Sequence, residues 1–509
     1  MHNFNFLDIK CSIEYKESLN FYILFKYNKT SIYVFINNKS EEEYYKKLTV
    51  NIYDKSYSKG RIPTSKNKIE NFSSDQNIYR STLIEKALSS MIKKQHNLNI
   101  SIMLVDHYIE DSIINVFLLG ASAALKLYLK NDYSLIIPYP ISLCELSDMF
   151  LCVSKEGITY LDGFLNINPG YLNNAIKNFF NENQSIIINQ CKDIESVINQ
   201  IQTSNNLNLS QEYDNNLINY ILDKSIHYIH SQNIAITQFK QISQIVDNIM
   251  KQENHENTNN INFIIMLQLC KTLSLKERLD KRLYNQIRPL KYEINKFSRS
   301  NSNILIIKGF SEILINIVMG SFNDVLYEEI SELNMVKKKY TYIHYISNQY
   351  SMGRGGNKTL KKIECFYNKY LESIIQPIAM KNKFTLKISC DPISADGGLD
   401  IMAAIGSSIC LSQTQNLENS YVYGVEYSIY NLKNSQSVIY VDPTFIEYIC
   451  SNVVVKITKY IDSNNISLLY YAHNAEGVSY NDIDNLCNVI SDFIQNPKHI
   501  SQINILKTL

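Results

Sequence analysis

The sequence predicts an α+β fold in which two similar sheet-and-helix lobes, residues 1–205 and 276–509, flank an all-helical domain at 206–275. Three observations carry this: strand-like runs near the start, a middle stretch with helical spacing, and strand-like runs again after it. In the first lobe, Phe21-Tyr-Ile-Leu-Phe25 and Ser31-Ile-Tyr-Val-Phe35 are rich in β-branched and aromatic residues, and the polar Asn37-Asn-Lys-Ser40 reads as a turn. Ile100-Ser-Ile-Met-Leu-Val105 is a further strand, and the small residues within Ile113–Leu127 let a helix lie close on that sheet. Leu217, Ile218, Ile221, Leu222, Ile226 and Ile229, then Phe239, Ile242, Ile245, Val246 and Ile249, keep helical intervals, followed by a polar loop over Lys251–Asn260. From Ile304 the runs Ile304–Ile307, Ile313–Val318 and Tyr340–Tyr345 restore the sheet.

At 509 residues the chain has room for two or three domains, each with its own core. Lysine and arginine total 50 against 49 acidic residues, a formal charge of +1, which excludes attachment to nucleic acid by bulk positive charge. Any RNA contact must be local. The ten cysteines include no Cys-x-x-Cys pair, a pattern of buried small hydrophobes in a reducing compartment rather than of disulfides or zinc. The first residues lack a signal-peptide pattern, and apolar stretches such as Phe263–Leu267 are too short to cross a bilayer, so no membrane role is expected. The abundance of Asn, Ile, Lys and Tyr, with no Trp, matches the drift of an AT-rich genome. The expected location is therefore cytoplasmic, or the matrix or interior of an AT-rich organelle or endosymbiont.

Leu48-Thr-Val-Asn51 followed by Tyr57-Ser-Lys-Gly-Arg-Ile-Pro63 resembles the LTVNY and Y-x-x-GRIP patterns that open the first RNase PH-like lobe of polynucleotide phosphorylases. Leu83-Ile-Glu85 falls where that family has Leu-Ile-Asp, and Leu119-Gly-Ala-Ser-Ala-Ala-Leu125 is similar to its Ile-Gly-Ala-Ser-Ala-Ala-Leu helix. In the second half, Arg278-Leu-Asp-Lys-Arg282, Ile287-Arg-Pro-Leu290, Lys308-Gly309 and Gly320 resemble the family's R-x-D-G-R, I-R-x-L, R-G and closing Gly in the same register. The resemblance implies two RNase PH-like lobes around a helical domain, a homotrimeric ring admitting single-stranded RNA, other RNA-degradation proteins as partners, and Mg²⁺ as cofactor. It implies 3′-to-5′ phosphorolysis of RNA to nucleoside diphosphates. It also implies KH and S1 modules after the second lobe; the sequence reaches Leu509 without them, so the expectation is that the core alone grips RNA.

Phosphorolysis needs donors that cradle one anion beside another and a metal that neutralises developing charge. The family supplies the metal ligands in the pattern D-x-x-x-x-x-D-x-K. Aligned here, the Lys is Lys456, but Tyr448 and Val454 stand at the aspartate positions. Glu447 and Asp442 are the nearby acids that could substitute, although on a strand Glu447 would point away from the side of Tyr448. Lys456 reads equally as a snorkelling lysine among apolar neighbours. No metal ligand is assigned. The family's Ser-Asn-Gly and Ser-rich helix start becomes Ala395-Asp-Gly-Gly-Leu-Asp400: Gly397 and Gly398 permit close approach to phosphate or merely form a turn, and Asp400 would repel phosphate. Lys358, Lys361 and Lys362 fall on the family's Gly-Arg-Arg-Glu-Ile-Gly-His-Gly, as phosphate-attracting charges or as a solvated helix turn. Arg61 of the GRIP match and Lys66 and Lys68 of the following loop are the RNA-binding candidates. Lys93-Lys94 and Lys337–Lys339 read as solvated faces, and His227 with His230 as surface residues lacking a third metal ligand. Three functions stay open: a phosphorolytic exoribonuclease, a catalytically silent ring subunit that binds RNA or scaffolds an assembly, and an enzyme completed by an intact paralogue. The missing metal ligands favour silence.

Overall fold

The computed structural model describes residues 2–7, 9–15, 21–38, 48–54, 58, 75–92, 98–141, 148–166, 169–203, 215–232, 239–252, 265, 268–269, 272, 278, 280–330, 335–345, 358–379, 384–415, 421–431, 437–461, 465–473 and 482–495. Four antiparallel strands come first: β1 (His2–Phe6), β2 (Ile9–Tyr15), β3 (Phe21–Tyr27) and β4 (Thr30–Asn38). Ile23, Phe25 and Tyr27 of β3 and Ile32, Val34 and Ile36 of β4 are buried, so alternation turns one face of the sheet inward. The tight turn falls at Asn28, whose φ of 52° suits an Asn. The strand β4 continues through Asn37 and Asn38, where the sequence had suggested a turn. After β5 (Leu48–Asp54) and α1 (Asp75–Ser89), β6 (Leu98–Asp106) inserts antiparallel to β4 and parallel to β5, and α2 (Ile113–Leu129) lies across the sheet. A hairpin ladder of β7 (Ile136–Ile141), β8 (Asp148–Ser154) and β9 (Ile158–Asn166) follows.

Helices α3 (Pro169–Thr203), α4 (Asn215–Gln232) and α5 (Phe239–Gln252) form the middle of the chain. The first of these begins well before the residues whose spacing announced helix. Ile221, Ile229, Ile242 and Val246 from α4 and α5 join a cluster with Tyr430, Tyr440, Ile446 and Cys450, so the helices back the corner that carries the candidate site.

One sheet of the second half repeats the strand order of the first sheet. Strands β10 (Leu290–Ile294), β11 (Ser302–Lys308) and β12 (Ser311–Gly320) precede a hairpin, β13 (Leu326–Ile330) and β14 (Met335–Lys339), then β15 (Thr341–Tyr345), α6 (Lys358–Ala379), β16 (Thr385–Ser394) and α7 (Leu399–Gln415). The order β10-β11-β12-β16-β15, with its last pair parallel, matches β2-β3-β4-β6-β5 in order and sense. The helix that crosses each sheet carries a glycine at the contact: a Cβ at Gly120 would lie 2.6 Å from Ile32, and one at Gly406 would overlap Ile315. A side chain at either place would push on the tip of a sheet isoleucine, so glycine eases the close approach of helix to sheet.

Strands β17 (Val422–Asn431), β18 (Ser437–Val441), β19 (Val453–Tyr460) and β20 (Asn465–Ala472) join the earlier ladder in one seven-stranded sheet, β18-β17-β19-β20-β9-β8-β7. A short α8 (Phe445–Cys450) precedes β19, and α9 (Asp482–Gln495) packs on α3. Central β19 is buried on both faces, which explains its unbroken Val453-Val-Val455 run. The expectation that apolar stretches are too short to span a bilayer needs one correction: Ile113–Asp132 is long and apolar enough by length and composition. Most of it lies buried within the fold. The cysteines among the described residues are free thiols, all buried except the half-buried Cys365.

Candidate functional site

Loop 280–289, the end of β11, the turn from β16 into α7, the end of β18 and α8 converge on Asp442. This residue has a φ of 53° and is 1% exposed. Its Oδ1 accepts from Arg288 Nη2 at 2.9 Å and pairs with Lys308 Nζ at 2.7 Å. Its Oδ2 accepts from Arg288 Nε at 3.0 Å and from the Arg288 backbone N–H at 2.8 Å. Burial alone would raise the Asp442 pKa, but the charges and hydrogen bonds of Lys308 and Arg288 outweigh it and hold the carboxyl far below the usual range. Arg288 reaches on to the Asp396 carbonyl at 2.7 Å and the Pro443 carbonyl at 3.1 Å.

A second pair lies beside it. Arg278 Nε and Nη2 donate to Glu447 Oε1 and Oε2 at 3.0 and 2.7 Å, a two-pronged fork with both side chains fully buried. The same guanidinium donates to the carbonyls of Val441 and Asp442 at 2.9 and 3.1 Å. Glu447 also accepts from the Thr444 backbone N–H at 2.9 Å, while Thr444 Oγ1 accepts from the Glu447 N–H. This reciprocal cap starts α8. Glu447 thus sits on a helix, where the sequence had suggested a strand.

Lys456 occupies the third charged group. It stands opposite Glu426 across the β17–β19 ladder and donates to Asp400 Oδ2 in the first turn of α7. Glu426 Oε1 lies 3.4 Å from Lys456 Nζ but receives no hydrogen bond from the described residues. Exposure is only 3%, 2% and 2% for Lys456, Asp400 and Glu426. Burial opposes the charge of Lys456, but Asp400 and Glu426 prevail and raise its pKa well above the usual lysine value. Aromatic rings close the surroundings: Lys456 Nζ lies 5.6 Å from the Tyr448 ring centroid and 5.7 Å from that of Tyr367, and the Tyr448 and Tyr471 hydroxyls are hydrogen-bonded.

The remaining candidates scatter. Gly397 and Gly398, at φ 88° and 74°, form the turn into α7, and a Cβ on Gly397 would lie 2.8 Å from the Pro443 carbonyl oxygen. Lys362 is buried on α6, donates to the Val50 carbonyl at 2.5 Å and pairs with Glu85 at 3.2 Å, tying α6 to the first sheet and α1. Lys358 and Lys361 fall in the first turns of α6. Their side chains, and Arg61, Lys66 and Lys68, lie outside the described residues, as do Lys93, Lys94 and the side chains of Lys337 and His230. Lys338 and His227 are exposed, and Lys339 pairs with Glu372. Asp442, Glu447, Lys456 and the two glycines come together, and Lys362 faces elsewhere.

Sequence reading treated Arg278, Arg288 and Lys308 as pieces of a resemblance without giving them partners, and it passed over Glu426. The available signal was weak: Glu426 is the only charged residue in Val422–Asn431. Mg²⁺ demands oxygen ligands in near-octahedral array. Tyr448 and Val454 supply no carboxylate, Asp442 and Glu447 are each clasped by arginine, and Asp400 and Glu426 share one lysine. Among the described residues no three His, Cys, Asp or Glu side chains converge to hold a metal. These residues do not fit a resident Mg²⁺.

Fold and site define an α+β protein with a repeated sheet motif and a charged centre closed by its own side chains. No protein-family model matches the chain. It is similar to proteins named polyribonucleotide nucleotidyltransferase. That of Wigglesworthia glossinidia brevipalpis is 22% identical over 452 residues, covering 81% of this chain and 63% of that protein. That of Dictyoglomus thermophilum is 22% identical over 441 residues, covering 79% and 62%, and that of Helicobacter pylori is 22% identical over 448 residues, covering 81% and 63%. The chain therefore spans a little under two-thirds of the length of these relatives. Among solved structures, rice (Oryza sativa) Rrp46 is matched at 15% identity with a TM-score of 0.29, over 43% of this chain and 99% of that one.

Proposed function

We propose that this chain is a catalytically silent relative of the polyribonucleotide nucleotidyltransferases that serves RNA turnover by binding single-stranded RNA or scaffolding an assembly. One observation carries the reading. Lys456, which the resemblance puts beside the reacting phosphates, is paired with Asp400 and Glu426 in a buried cluster, while Tyr448 and Val454 hold the places of the metal-binding aspartates. A buried lysine already neutralised by Asp400, with Glu426 beside it and tyrosines around it, has no charge to offer an incoming phosphate. The repeated sheet order supports reading the fold as two RNase PH-like lobes, 1–205 and 276–509, around a helical domain at 206–275. Assembly as a homotrimeric ring in the cytoplasm, or inside an organelle or endosymbiont, belongs to the same proposal.

Purified protein incubated with single-stranded RNA, inorganic phosphate and Mg²⁺ is expected to release no nucleoside diphosphate above a protein-free control. Robust phosphate-dependent release would falsify silence and return Asp442 and Glu447 to consideration as substitute ligands. RNA binding itself is assigned to Arg61, Lys66 and Lys68, in a chain whose overall charge is balanced. Replacing Lys66 and Lys68 by Ala should weaken binding and reduce the salt slope by about 1–2. An unchanged slope would take this loop off the RNA path.

A further inference from the structure

Two carboxylates share one lysine in a region closed to water, and the two are not equivalent. Asp400 accepts a hydrogen bond from Lys456, whereas Glu426 Oε1 is buried with no donor among the described residues. A buried, ionised carboxylate oxygen without a donor is costly, and a proton on Glu426 relieves that cost even with Lys456 Nζ 3.4 Å from Oε1. We propose that Asp400, Lys456 and Glu426 form a proton-operated latch: with a proton on Glu426 the charges cancel and the start of α7 is held against β17 and β19, and loss of that proton leaves one uncompensated negative charge that loosens the contact.

The groups around Glu426 bear on both states. Lys456 on β19 and Lys308 on β11 favour its ionised form, with Arg288 farther off, while Asp400 on α7 and Asp442 after β18 oppose it. Tyr370 on α6, Tyr448 on α8 and Tyr471 on β20 complete the wall, their hydroxyls kept neutral by burial. Burial is the largest influence on Glu426 and raises its pKa above the usual carboxylate value. A group whose pKa is raised on folding stabilises most when the pH lies below its unfolded value, and that contribution is lost as pH climbs through the folded value. The latch is therefore firm in mild acid and weakens toward alkali.

The inference rests on reading this site as closed, but its test involves neither RNA nor phosphate, so either idea can fail without the other. Thermal unfolding midpoints of the wild-type chain and of Glu426→Gln, which mimics the protonated acid, are to be followed from about pH 5 to about pH 9. The wild-type midpoint should fall relative to that of the variant by about 2 °C or more across this range. Hydrogen exchange in the first turn of α7 should rise over the same interval in the wild type more than in the pH-matched variant. Parallel profiles in both measurements would overturn the latch. Infrared difference spectra cover the case in which Glu426→Gln does not fold. Asp400→Asn leaves Glu426 as the sole carboxylate partner of Lys456, so the protonated-carboxyl signal of the wild type should be lost at lower pH in that variant. No protonated-carboxyl signal in the wild type, or the same pH profile in Asp400→Asn, would defeat the proposal.

Discussion

Replacing Arg278 by Met is expected to destabilise the folded chain by about 3–5 kcal/mol, because it strands a buried carboxylate. Glu447 is fully buried and receives both prongs of the guanidinium, and the same arginine satisfies the carbonyls of Val441 and Asp442. Removing it leaves the Glu447 charge with the Thr444 N–H and takes a donor from the Val441 carbonyl, while Arg282 Nη2 at 3.0 Å still serves the Asp442 carbonyl. Glu447→Gln should cost less, since the amide keeps an acceptor for Arg278 and for the α8 cap. Changing both residues to apolar ones should recover much of the loss, as replaced buried pairs often do. Denaturant midpoints for the three variants decide the matter. A wild-type midpoint for Arg278→Met would show that the fork does not hold this corner. The neighbouring Asp442 adds a pH signature of opposite sign to that of Glu426. Its pKa is depressed on folding, so its contribution is present above the ordinary carboxylate range and is lost only as pH falls well below it.

Activity should appear only when the whole charged centre is rebuilt. Val454 and Lys456 lie two residues apart on β19, so their side chains share one face of the strand, and the Tyr448 ring centroid is 5.6 Å from Lys456 Nζ. Aspartates at 448 and 454 would therefore face the lysine and restore oxygen donors for a divalent metal. Lys456 must also be released, which requires Asp400→Ser and, because Glu426 would otherwise keep it, Glu426→Ala. The combined variant should raise phosphate-dependent release of nucleoside diphosphates by about 10³-fold or more over the parent. Partial sets should stay near background, since groups that act as a unit are not additive. A folded combined variant without product would mean that silence has causes beyond these four positions.

The parts of the fold legible in the sequence were those governed by short-range rules. Runs of β-branched and aromatic residues marked β3 and β4, helical spacing marked α4 and α5, and small residues marked the helix that lies on the first sheet. The site was legible as residue types but not as contacts. Arg278 meets Glu447 across 169 positions and Arg288 meets Asp442 across 154, distances at which spacing carries no information. Asp400 was visible as a misfit in a phosphate cradle, yet its partner on β19 was not. One local signal was present and overlooked: Thr444-Phe-Ile-Glu447 has the pattern of a helix N-terminal cap, which outranks the strand reading of that stretch. Glu426 was hidden for the opposite reason, since an acid within an apolar strand ordinarily faces solvent.

The seven-stranded sheet has a consequence for how the chain is assembled. Its central seam joins β9 to β20, strands from the first and second halves of the polypeptide, and Tyr470 reaches Ile158 across 312 positions. Until the last of the strands has been synthesised, β9 has no neighbour on one side and its backbone groups remain an open template. Loop closure over such a span is slow, and its entropic cost falls before the contacts that reward it. A chain truncated before β20 would therefore leave β9 as a sticky sheet edge, prone to pair with other chains.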